Sequence, residues 1–153
     1  MKAASAKEIK TALSNLTQPE LVKVCLRLSR FKKENKELLT YLLLETDEAS
    51  YIESVKGEID YELEQVNRRN YWFIKKGIRK TLRMVKKYIR YSGNKETEVI
   101  LLLYFCERIK AFSPSIKGSR VLIKLLAQQQ SVIRTAIAKL HEDLQYDYLQ
   151  ELG

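Results

Sequence analysis

Apolar residues recur along this chain three and four positions apart, and no stretch alternates apolar with polar. A spacing near 3.6 keeps one helix face apolar, whereas a half-buried strand needs a period of two. The pattern therefore predicts an all-α protein. Ser5 with Glu8 forms a capping-box pattern ahead of Ile9, Ala12, Leu13 and Leu16. Thr17 with Glu20, and Pro19 between them, starts a second helix, whose apolar face is Leu21, Val24, Cys25 and Leu28. A third helix over 33–44 is expected to turn Leu38, Leu39, Leu42 and Leu43 inward, and a fourth is expected over 49–68 on Ile52, Val55, Ile59, Leu63 and Val66.

Asn70 can cap a fifth helix, Tyr71 to Ser92, whose core face is Ile74, Ile78, Leu82, Val85 and Ile89. Gly93 suits a left-handed turn just past its end, and Asn94 can cap a sixth helix over 95–112. That helix is apolar nearly all round from Val99 to Cys106, so it is expected to be the most buried. Residues 117–152 read as one long helix or two, with Gln128, Gln129 and Gln130 either bending the apolar face or pointing to solvent. Connections are short, so neighbouring helices are expected to pair as antiparallel hairpins. The expected architecture is a single domain, 1–153, built as a compact bundle or orthogonal array of six to eight helices.

Composition supports this picture. The 153 residues are 45% hydrophobic and 31% charged, which suits a globular chain with a charge-rich surface. Five Gly and two Pro leave few tight turns, favouring long helices. The first ten residues lack an apolar signal-peptide core, and the apolar run 99–106 is too short to span a bilayer. Cytoplasmic placement follows as an expectation, with Cys25 and Cys106 as free, buried thiols.

No chemistry survives the spacing test. A single histidine, His141, with Ala138 three residues before it, excludes the paired Glu-x-x-His of a di-iron bundle, and one histidine with two distant cysteines makes a poor zinc set. The five glycines are scattered, so no phosphate loop exists, and no cofactor is expected. His141, Glu142 and Asp143 point in successive directions about 100° apart on a helix, so a surface or capping histidine is the reading. Glu58 and Glu62, one turn apart, could hold a metal or share a proton, but pairing with bases of the next helix is preferred because no imidazole or third carboxylate matches them. The tyrosines are expected to pack at core edges.

Charge changes the picture. The chain carries net +9, yet residues 65–95 hold 11 of its 28 bases and no acid, leaving 17 bases against 19 acids elsewhere. Residues 45–64 before them carry eight acids and one lysine. On a wheel at about 100° per residue with Lys75 at zero, eight bases fall within an arc of about 140°. They are Lys75, Lys76, Arg79, Lys80, Arg83, Lys86, Lys87 and Arg90, with Trp72 inside the same arc. The core residues occupy a separate arc at roughly 260–340°. Such a stripe needs acids from within the chain, an acidic protein surface or a nucleic-acid backbone. Trp72 could stack on a base or hold a guanidinium.

Two stretches, Lys87-Tyr-Ile-Arg-Tyr-Ser-Gly-Asn-Lys-Glu-Thr-Glu98 and Leu140-His-Glu-Asp-Leu-Gln-Tyr-Asp-Tyr148, resemble segments of an uncharacterised family of small bacterial all-helical proteins. The resemblance implies a bacterial cytoplasmic protein acting without a cofactor, and transfers no functional residue. The expected function is thus a non-catalytic interaction module with a basic docking face on helix 71–92. The alternative is a sequence-nonspecific DNA- or RNA-binding protein. Self-association stays open.

Overall fold

The computed structural model describes residues 1–153, and the chain is all-α, with eight α-helices, one short 3₁₀ turn and no strand. The helices are α1 (Ala6–Ser14), α2 (Gln18–Phe31), α3 (Lys33–Leu44), α4 (Glu48–Glu64), α5 (Tyr71–Ser92), α6 (Lys95–Lys110), α7 (Arg120–Ile137) and α8 (Glu142–Leu152). They form two compact units, Met1–Glu45 and Thr46–Gly153.

In the first unit both expected capping boxes are present. Ser5 and Glu8 satisfy each other's backbone N–H groups at the start of α1, as Thr17 and Glu20 do for α2. Helix α2 packs on α3, and Asn35 Nδ2 donates to the Leu28 carbonyl at 2.8 Å. The inward turn expected of Leu42 and Leu43 is not found: they are 61% and 72% exposed, and no residue of α1, α2 or α3 is buried. Cys25, expected to be buried, is exposed for the same reason; three short helices enclose no interior.

The second unit has a real core, with α6 at its centre. This helix contacts α4, α5, α7 and α8, and Val99, Leu101, Leu102, Phe105 and Ile109 are closed to solvent. Its N-cap is Asn94, whose side chain accepts from the Glu96 and Thr97 N–H groups. Helix α4 ends at Glu64, four residues before the expected end. Asn67 Oδ1 accepts from the Arg69 N–H in a local turn, and Arg68 is taken up by carbonyls: its guanidinium donates to Glu64, Leu63 and Ser113, and lies over the Phe112 ring. Arg68 is thus a strap between the α4–α5 turn and the segment after α6. Helix α6 likewise stops at Lys110, ahead of Pro114.

The C-terminal stretch resolves as two helices. Helix α7 runs unbroken through the glutamine triplet because Gln129 turns into the core, 4% exposed, while Gln128 stays outside. The break falls at residues 138–141, and His141 caps α8, its Nδ1 accepting from the Asp143 N–H. Gln145 ties the break from the other side by donating to the Leu140 carbonyl at 2.8 Å.

Two buried-edge tyrosines anchor α6 and α8. Tyr104 donates to Asp60 Oδ2 at 2.6 Å, and Asp60 Oδ1 lies 2.7 Å from Arg108 Nε. That N–H is turned off the line, so the second contact is an ion pair without a hydrogen bond. Tyr148 donates to Glu96 Oε1 at 2.6 Å. Burial, then the bond to the Asp60 carboxylate, pushes Tyr104 up to about 12, and burial with Glu96 moves Tyr148 in the same direction. An ordinary phenol titrates near 10, so on raising the pH the unfolded chain loses these protons first. Their contribution is therefore complete below pH 10 and is lost as pH climbs through about 12. Urea unfolding at stepped pH should show a steeper loss of stability above pH 10 in the wild type than in Tyr104→Phe; equal slopes would remove the assignment. The expectation of core-edge packing does not extend to Tyr61 and Tyr146, which are 61% and 68% exposed.

Candidate interaction face on α5

Helix α5 occupies the expected 71–92 span. Asn70 accepts from the Phe73 N–H at its start, and Gly93 adopts φ 64° at its end, where a side chain would be strained. Ile74, Ile78, Leu82 and Val85 are buried against the rest of the unit, and Thr81 joins them by returning its hydroxyl to the Gly77 carbonyl. Gly77 has a packing role, since a Cβ there would lie 2.6 Å from a Val66 methyl. The start of the α4–α5 turn therefore rests directly on the helix backbone. With this face fixed in the core, the opposite face is fixed outward.

The structure sorts the nine stripe residues into groups. Lys80 is neutralised from within: its Nζ lies 2.9 Å from Glu62 of α4. The other carboxylate of that pair, Glu58, accepts from Tyr88 at 2.6 Å instead of meeting a base. Both findings fit the reading of Glu58 and Glu62 as partners of the next helix. Lys76 stands over the Trp72 ring, 4.5 Å from its centroid, and Lys87 lies 5.1 Å from the Tyr88 centroid and 6.0 Å from that of Tyr91. Lys75, Arg79, Arg83, Lys86 and Arg90 have neither an ion pair nor a hydrogen bond, and all but the half-buried Lys75 are exposed. Successive members lie three or four residues apart, so they form a row roughly 22 Å long.

Trp72 is 56% exposed at the head of this row, edge-on to Phe73 at 4.9 Å. Beside it a depression of about 290 Å³ lies between the α4–α5 turn and α5. Its lining combines Gln65, Asn67 and Phe73 with Lys76, Arg83 and the Glu62–Lys80 pair. Sequence reasoning found the bases but missed this depression, because it depends on α4 ending early and on Val66 seating over Gly77. The glycine in an otherwise strong helix was its one readable sign.

The face holds no paired nucleophile and base. No cluster of three His, Cys, Asp or Glu side chains capable of holding a metal occurs in the protein, and no helix is long and apolar enough to cross a membrane. Arg68 and Arg69 do not prolong the row: α4 and α5 are separate helices, and Arg68 is engaged with carbonyls. No protein-family model, curated protein or solved structure matches the chain significantly.

Proposed function

We propose that this protein is a non-catalytic helical interaction module that docks an acidic protein surface on the outer face of α5. One observation carries the reading: five bases of a single ordered helix stand in a row with no acid to meet them. Like charges so placed repel one another, and an acidic partner would relieve that repulsion. A protein is favoured over a polyphosphate because the neighbouring α4 brings two carboxylates to α5, Glu62 at Lys80 and Glu58 at Tyr88. These carboxylates would repel a continuous phosphate backbone but could pair with bases on a protein of mixed charge. The free cysteines suit a reducing compartment, so a cytoplasmic setting is part of the proposal.

Exposed Trp72 supports a second reading, sequence-nonspecific DNA or RNA binding, since its ring could stack on a base while the row follows phosphates. Fluorescence titration of Trp72 with a poly-glutamate peptide and with single- and double-stranded oligonucleotides separates the two. The peptide should bind at low salt and weaken as salt rises, and Arg79→Glu, Arg83→Glu, Lys86→Glu together should weaken it at least tenfold. None of these three residues has a partner to lose, so the fold should survive the substitutions. Oligonucleotide binding far tighter than peptide binding, and lost in the same variant, would put the second reading in place of the first. No binding of either probe at low salt would sink both.

A further inference from the structure

The first unit, Met1–Glu45, is folded without an interior. Helices α1 and α2 are capped and α2 packs on α3, yet ten aliphatic or aromatic side chains, Met1 aside, are between 37% and 76% exposed. Between α2 and α3 runs a groove of about 450 Å³ lined by Leu21, Val22, Cys25, Leu26, Leu39 and Leu43 among others, with Lys36 its only charged residue. A 45-residue unit with no fully buried residue gains little to offset the entropy of ordering its chain. Something must cover this surface whenever the unit is folded.

We propose that the cover is the same unit of a second copy, hairpin packed on hairpin in a two-fold dimer. Area is the first argument. The ten side chains together expose on the order of 1,000 Å² of apolar surface, with Val22, Leu26, Leu43 and Leu44 of them in the groove itself, and a stable interface takes roughly 800 Å² from each partner. The second is the chemistry of the groove. A nearly charge-free apolar face on both helices of a hairpin complements itself, and two such hairpins make a four-helix arrangement with one shared interior. The third is availability: an obligatory cover must be present wherever the chain is, and another copy always is.

This contact has a salt signature opposite to that of α5. The unit carries nine bases and five acids, net +4, so two copies repel through charge while their apolar faces attract. Salt screens the repulsion, so dimerisation should strengthen with salt, whereas docking on α5 should weaken. Sedimentation velocity of the full chain across concentration should give a species of twice 17.9 kDa, favoured by added salt. Leu26→Glu with Leu43→Glu should return it to monomer; the Arg79→Glu, Arg83→Glu, Lys86→Glu variant should stay dimeric. Because the leucine variant could unfold the unit, a second reading uses the wild type alone. Cys25 lies in the groove, and Cys106, buried in the other unit, is an internal reference. Maleimide labelling of Cys25 should be at least tenfold slower in the dimer than after dilution to monomer. A monomer at every concentration and salt overturns the proposal. So does a dimer whose Cys25 labels as fast as the diluted chain.

Discussion

Replacing Phe105 with Ala should lower the stability of the 46–153 unit by about 3–5 kcal/mol, the usual cost of removing a fully enclosed aromatic ring. Phe105 is closed to solvent on the one helix that touches α4, α5, α7 and α8. With helices packed around it, the cavity left behind adds to the lost transfer energy. Urea unfolding followed through Trp72, the single tryptophan, reports this unit because the 1–45 unit has none. With two units a single midpoint for the whole chain would be ill-defined. A midpoint shift equivalent to less than 1 kcal/mol would mean that α6 is not the packing centre.

The periodic pattern carried most of the second unit. A helix apolar on every side has only one stable place, the middle, and Val99 to Cys106 announced it. The caps at Ser5, Thr17, Asn70 and Asn94 were equally legible, because each is a local bond between a side chain and a backbone two or three residues on. Burial in the first unit was not. The face of α3 has the same leucine spacing as a core helix, and spacing says which residues share a side without saying what lies against it. Gln129 failed in the opposite direction: a polar residue between two other glutamines reads as outward, yet its place on the wheel sets it beside Leu122, Leu125 and Ile133. The stripe was legible as an arc, since unlike-charge partners within the helix are visible in sequence. Which of its bases would be neutralised from outside was not, because Lys80 meets Glu62 across two helices.

Glu48→Ala should cost about 2–4 kcal/mol, more than a half-buried carboxylate usually matters, because it ends two charge-assisted hydrogen bonds and strands a buried hydroxyl. Glu48 Oε1 accepts from both Ser92, the last residue of α5, and Thr97, in the first turn of α6. Thr97 is 1% exposed and its hydroxyl donates to Glu48, so removing the carboxylate takes away the acceptor of a buried group. The carboxylate also sits in the first turn of α4 and near the start of α6, where both helix dipoles favour negative charge. Gln at 48 keeps an oxygen in place and loses only the charge, so Glu48→Gln should cost about half as much. The effect has a direction along the molecule. Glu48 fixes the corner at which α5 turns into α6, and with it the end of the basic row at Arg90. Hydrogen exchange in Glu48→Ala should therefore quicken first at residues 90–98 and leave residues 71–80 near wild type, with the affinity of the face falling less than in the charge-reversed variant. Uniform quickening along all of α5, or a cost within about 0.5 kcal/mol of zero, the range of an ordinary surface substitution, would show that the corner is held by packing alone.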